Sequence, residues 1–380
     1  MTSRERLLIA LQGKMPDRVP ANLYEINPYA ENTFYTTEES WKELVDFLKE
    51  NADSFGWGPV DCGIFYSNPE KVFCRTETKQ DGNSTFYHTE IETPEGYLTC
   101  DSREDAGVAT RWMIKHLIET DEDIEKFLSL EYHPYQPDLT GFFKLEEIMK
   151  KDGRGVMLLS LGDAVGEVAG MMKFEFFVQK CIEDKETILK LIDIFQERLL
   201  LLYEYLARNV KDTVFRICGP EYATPPLMPP SYFHELVTVP DRELSGVIHR
   251  YRENRNFVCI HSHGKIKNVL DEIASIEIDV LEPVESLPAT TADTTLKEVR
   301  NRLGSNVCLM GNIQTRYIDW CSREELDAFI KTAIYEGGQN GGFVLIPTGA
   351  PIVSPLPKKT AENIYQYFES ARKYGQYPLK

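Results

Sequence analysis

The sequence predicts an α/β fold: a (β/α)8 TIM barrel with an N-terminal helical segment and a small antiparallel β insertion. Three observations carry that prediction. Short apolar runs recur along the chain with amphipathic helical segments between most of them, the pattern of parallel strands covered on both faces. Eight such runs are found, the number a closed barrel needs. The stretch 62–115 breaks the rhythm with short strands and hairpin turns.

The elements follow in order. Thr2 and Glu5 form a capping box ahead of Leu7, Leu8 and Leu11, so a helix opens the chain and stops near Gly13. Asp17-Arg18-Val19-Pro20 feeds a strand over 19–24. Trp41, Leu44, Val45 and Leu48 share one face of a helix over 40–49, and a weak strand is expected over 55–60. Runs at 73–78, 85–92 and 97–99 are separated by Asp81-Gly82-Asn83 and Pro94-Glu95-Gly96, which read as hairpin turns. Further strands are expected at 156–161, 213–218, 257–261, 278–281, 307–310 and 343–346. A long helix lies within 182–209. Ser322 and Glu325 cap a helix that ends at Gly337-Gly338, and a last helix over 360–374 stops at Gly375. Residues 1–380 are read as a single barrel domain with 62–115 as a β-meander insertion. A doubly wound open sheet is the alternative, but no Gly-x-Gly-x-x-Gly follows any strand to support a dinucleotide site.

Charge narrows the partners. The 42 Lys and Arg against 60 Asp and Glu give a formal charge of −18. Nucleic acid needs concentrated positive charge, and an anionic membrane surface favours it too, so neither partner is expected. No apolar run approaches the ~20 residues that span a bilayer, and the opening residues lack a signal-peptide core. A cytoplasmic location is expected, with the 8 cysteines reduced and mostly in the core.

In a barrel, chemistry gathers at the C-terminal ends of the strands. Those ends carry Glu25, Asp61, Asp163, Glu221, His261 with His263, Glu282 with Glu285, Asn312 and Thr348. The sharpest segment is Cys259-Ile260-His261-Ser262-His263-Gly264. Residues two apart on an extended backbone project to one side, so His261 and His263 converge. Two imidazoles and a carboxylate, from Glu282 or Glu221, match a zinc site with an open position. The alternative is that both histidines only hydrogen-bond within a pocket. Cys259 lies on the same side as His261, one layer deeper.

Several motifs resemble the uroporphyrinogen decarboxylase superfamily, which includes the cobamide-dependent methyltransferases. They are Thr2-Ser3-Arg4-Glu5-Arg6, Leu11-x-Gly13, Asp17-Arg18-Val19-Pro20, Thr93-Pro94-Glu95-Gly96, Gly219-Pro220-Glu221-Tyr222, Val239-Pro240, His261-Ser262-His263-Gly264, 278–283, Gly311-Asn312-Ile313 and Glu362-Asn363-Ile364. The resemblance covers essentially the whole chain and implies a (β/α)8 barrel. Two departures choose the branch. Where true uroporphyrinogen decarboxylases carry an arginine-rich segment, this chain has Ala21-Asn22-Leu23-Tyr24-Glu25-Ile26-Asn27, so no arginine there meets a porphyrinogen carboxylate. Where the thiol-methylating members have His-x-Cys and a later Cys, this chain has His263 and Ala350.

The resemblance implies a methyltransferase-like enzyme moving a methyl group between a small substrate and a corrinoid. No Asp-x-His-x-x-Gly module is present, so the corrinoid is expected on a separate protein. His261, His263 and Glu221 are the expected catalytic residues. His261, His263 and Glu282, or Glu221, are expected to hold zinc or another divalent metal. Tyr24, Glu25, Tyr222 and Asn312 are expected to bind substrate. Family members are often dimers, so a homodimer is expected. Two alternatives stand beside this reading: a decarboxylase or lyase acting on a small carboxylated substrate, and a non-catalytic binding protein of the same fold.

Overall fold

The first helix, Ser3–Leu11, is closed at its start by the Thr2–Glu5 capping box that the spacing predicts. The computed structural model describes residues 1–285 and 287–379. Leu7, Ala10 and Leu11 of this helix pack against Val156, Val214, Phe257, Val280, Cys308 and Val344, all at the beginnings of strands. The helix therefore plugs the N-terminal end of the sheet. Arg6 and Arg18 reinforce the plug, since both bond the buried carboxylate of Asp53 at 2.7 Å.

Eleven strands are present among the described residues. They are β1 (Ser54–Trp57), β2 (Cys74–Asp81), β3 (Ser84–Thr93), β4 (Gly96–Asp105), β5 (Arg111–Lys115), β6 (Gly155–Gly162), β7 (Val214–Cys218), β8 (Phe257–His261), β9 (Val280–Glu282), β10 (Cys308–Ile313) and β11 (Phe343–Pro347). Seven form a parallel sheet in the order β1-β6-β7-β8-β9-β10-β11, and β2 to β5 form a separate antiparallel sheet. The parallel strands are apolar on both faces because one face meets the helices and the other faces inward. Helices Lys185–Asn209, Arg323–Gly338 and Lys358–Tyr374 match the predicted amphipathic segments, and the Ser322–Glu325 capping box is formed.

The expected strand at 19–24 is not a strand. It makes one parallel bridge, Ala21 opposite Leu345, with Asn22 N donating to Leu345 O at 3.1 Å and Leu345 N to Pro20 O at 2.9 Å. On its other side Asp53 N donates to Ala21 O at 2.8 Å. Pro20 has no N–H and cannot extend a ladder. The ladders therefore form a seven-stranded parallel sheet, and they do not by themselves close an eight-stranded barrel. β1 also ends sooner than expected, at Trp57, because Gly58-Pro59 follows. The antiparallel sheet has a fourth strand, β5, whose Trp112, Met113 and Ile114 are exposed rather than patterned in and out. The cysteines are all free, but only Cys181, Cys259 and Cys308 are buried; the others are partly or wholly exposed. Among the described residues no helix is long and apolar enough to cross a membrane.

Candidate functional site

The strand register builds the inner face in layers. Ser160, Arg216, Cys259 and Val280 stand opposite one another on β6 to β9, and Gly162, Cys218, His261 and Glu282 form the layer above. The inner face thus turns from apolar to polar toward the C-terminal ends: Leu158, Ser160, Gly162 on β6; Val214, Arg216, Cys218 on β7; Phe257, Cys259, His261 on β8. Ser160 is exposed in the middle of an otherwise buried strand, so the sheet's upper interior is open to solvent.

Arg216 is the centre of this site, and it was not among the expected residues. Only 4% exposed, it donates through Nε to Glu282 and through Nη2 to the Tyr24 hydroxyl. Nη1 reaches Ser160 Oγ and Cys218 Sγ, each at 2.9 Å, and Nη2 lies 2.9 Å from His261 Nδ1. Four of the guanidinium's five N–H donors therefore have an acceptor, and the fifth meets His261 Nδ1, which either accepts from it or donates to Glu282. Its cation also lies over the rings of Tyr24 and Trp57, 5.3 and 5.2 Å from their centroids. Burial disfavours its charge, but Glu282, Cys218 and Tyr24 together outweigh burial and hold Arg216 above the usual arginine range. The sequence signal for it was a charge at an inward position of the apolar run Val214-Phe215-Arg216-Ile217-Cys218.

The expected residues fall into three groups. His261, Glu282 and Tyr24 meet at Arg216. Burial would raise the Glu282 carboxyl, yet the Arg216 cation and His261 hold it down at about 2. His261 Nδ1 is 3.0 Å from Glu282 Oε1, and burial followed by the Arg216 charge lowers its pKa, so the ring is neutral near pH 7. Burial and the Glu282 charge push the Tyr24 phenol up, keeping its proton. His263 forms the second group with Glu285, 3.2 Å away, and its ring centroid lies 4.8 Å from that of His261. The two histidines do converge.

The third group lies on the loops above. Glu221 and Tyr222 sit in the short turn Pro220–Ala223 after β7, where Glu221 Oε2 is buried without a partner and Tyr222 packs on Phe174. Glu285 Oε2 is likewise buried and unpartnered. Glu25 takes a left-handed backbone, φ 58°, which costs an L-residue about 1–2 kcal/mol. It is open to solvent yet deep among protein atoms, as in the wall of a pit, and burial raises its pKa. Asn312 lies on β10 opposite Ile346, on the inward face beyond Met310. Asp163 is buried, and its Oδ1 caps the helix Ala164–Met171 by accepting from Gly166 N at 2.6 Å. Asp61 turns away into its own loop and accepts from Gly63 N at 2.9 Å.

The donor set does not fit the expected metal. A catalytic zinc takes three protein ligands. Glu282 is instead engaged by a buried guanidinium and an imidazole, and among the described residues no group of three or more His, Cys, Asp or Glu side chains is arranged to hold an ion.

An open groove of about 800 Å³ lies elsewhere, beside helix Lys42–Asn51, lined by residues such as Tyr29, Glu38 and Lys42. It gathers no cluster of catalytic groups comparable to the strand ends.

No curated protein sequence matches the chain. Among solved structures, a methyltransferase from Methanosarcina mazei superposes with a TM-score of 0.59 at 14% identity, covering 97% of this chain and 98% of that one. A Bacteroidetes-affiliated GH5 cellulase is more distant, with a TM-score of 0.37 at 7% identity over 61% of this chain and 75% of that one. The family described as Uroporphyrinogen decarboxylase (URO-D) matches residues 113–374, a span that includes Arg216, both histidines and Glu282. The chain belongs to the uroporphyrinogen decarboxylase family.

Proposed function

We propose that the protein is a methyltransferase-like enzyme that moves a methyl group between a small substrate and a corrinoid carried on a separate protein. The likeness in fold to the Methanosarcina mazei methyltransferase, along nearly the full length of both chains, carries this reading. The reading takes the sheet as a closed (β/α)8 barrel completed by residues 19–22, and 62–115 as an insertion in a single domain; the hydrogen bonds of Pro20, Ala21 and Asn22 to Leu345 and Asp53 support it.

Each residue then has a task. Tyr24, Glu25 and Tyr222 line the mouth, and Asn312 orients polar groups of the substrate. The unpartnered Glu221 Oε2 and Glu285 Oε2 favour a neutral or cationic substrate that brings hydrogen-bond donors. His261 and His263 exchange a proton with the substrate heteroatom as its bond to the methyl carbon breaks or forms, and Glu221 assists. The corrinoid supplies or accepts the methyl group. The test is to mix the protein with free reduced cobalamin and a panel of methyl ethers, methylamines and methyl thioethers, and to follow the corrinoid spectrum. Methylation that falls at least tenfold in His261→Ala and His263→Ala is expected. No methylation with any donor, alongside intact fold, sinks the reading.

A second reading has its own support. The buried Arg216–Glu282–His261 network is a complete acid–base device. It suits a decarboxylase or lyase in which a histidine delivers the proton. Carbon dioxide release from small carboxylic acids, without methyl exchange, favours it.

A further inference from the structure

We propose that Arg216 takes the place of a divalent metal ion in this site, so that the strand-end histidines work beside a built-in cation rather than a bound one. The inference goes beyond the methyl-transfer reading and holds whichever reaction the site performs.

Four observations lead to it. First, Glu282, the carboxylate within 3.0 Å of His261, is 2% exposed and already holds Arg216 Nε. A carboxylate that neutralises a buried guanidinium is not free to give its charge to an ion. Second, the guanidinium reaches the histidine pair itself, with Nη2 2.9 Å from His261 Nδ1. A divalent ion on the other side of that ring would face a permanent like charge through a low-dielectric interior. Third, the register puts Arg216 one layer beneath His261 and Glu282, so its side chain rises into the space between them. Fourth, Ala350, which stands where the resemblance expects a thiolate, packs against the inner apolar cluster and offers no donor.

The arrangement explains why arginine suits the position. Lysine would present one compact charge, whereas the planar fork reaches five partners at once: Glu282, Tyr24, Ser160, Cys218 and His261. Arg216 is thus a positioning residue. It fixes the carboxylate, the phenol and the imidazole relative to one another, as a metal would fix its ligands, and it supplies a positive charge that needs no loading.

Metal content tests this directly. The full-length protein is purified without chelator, assayed for zinc, then titrated with Co²⁺ while d–d absorption is followed. Less than 0.1 equivalent of metal and no cobalt bands are expected for the wild type. Arg216→Met frees Glu282 and is expected to develop cobalt bands that disappear in Arg216→Met/His261→Ala. Arg216→Lys, which keeps the charge, is expected to stay silent. One equivalent of metal in the wild-type protein, lost in His261→Ala, overturns the proposal even if Arg216→Met does not fold. A folded Arg216→Met that binds no cobalt overturns it as well. Neither outcome depends on methyl exchange, so failure here is distinct from failure of the proposed reaction.

Discussion

Two buried arginine–carboxylate clusters sit at opposite ends of one sheet, and they are built differently. At the N-terminal end, Arg6 and Arg18 share Asp53, Arg6 also grips Asp17 at 2.7 and 2.8 Å, and Asp53 accepts from the backbone N–H of Ala21 at 3.0 Å. The partners are carboxylates and backbone. At the C-terminal end, Arg216 meets a carboxylate, a phenol, a thiol, a hydroxyl and an imidazole. Several of those can hold or pass a proton, and they border an interior open to solvent at Ser160. The same residue pair serves as a staple at one end and as a support for chemistry at the other. The neighbours and the access decide which.

The most severe break is Asp53→Ala. It leaves two guanidinium groups without their buried partner, and removing one side of a buried pair costs about 3–5 kcal/mol. Chemical denaturation should show a loss of that size or an insoluble product; a loss under 1 kcal/mol would mean the N-terminal staple is idle.

At the other end the outcome should split. Arg216→Met combined with Glu282→Leu removes the pair together, and such apolar replacements are often close to neutral. Stability within about 2 kcal/mol of wild type is expected, with turnover reduced at least a hundredfold once a substrate is in hand. Equal losses of stability and turnover would make the two clusters alike.

Buried carboxyls sharpen the comparison by pH. Glu282 is held at about 2 in the fold, below its ordinary value, so its contribution is present above roughly pH 4.5 and fades as pH falls toward 2. Asp163 and Asp241 behave in the opposite sense. Burial raises both, and for Asp163 the neighbouring Asp241 adds to it. Their protonated forms favour the fold, and that contribution is lost as pH rises through the folded-state value. Asp241→Asn should therefore stabilise the fold more at pH 8 than at pH 5, by about 1 kcal/mol or more at the alkaline end. A variant less stable at both pH values would show that the carboxyl is needed as it stands. The smallest expected effect is Ser322→Ala, which removes the cap of helix Arg323–Gly338 and should cost about 1 kcal/mol without touching either cluster.

Much of the molecule was legible in the chain. The capping boxes at Thr2 and Ser322 depend on residues three apart, and the structure forms both. Six strands beyond residue 150 lie where apolar runs predict them, because a strand covered on both faces must be apolar throughout. The convergence of His261 and His263 follows from the two-residue period of a strand. The strand at 19–24 misled because its apolar content is real while Pro20 denies it a ladder. The strand-end position of Glu282 is legible in the chain, but its partner is not, because Arg216 reads as one charge inside a core strand.

The sequence by itself determined the order of the elements, where helices begin and stop, and the pairing of two imidazoles on one face. These depend on neighbours within a few positions. Only the tertiary structure decided that Arg216, 66 residues from Glu282 and 192 from Tyr24, occupies the centre of the site. That contact depends on the register between parallel strands, which is set by packing across the whole sheet and has no local pattern to announce it.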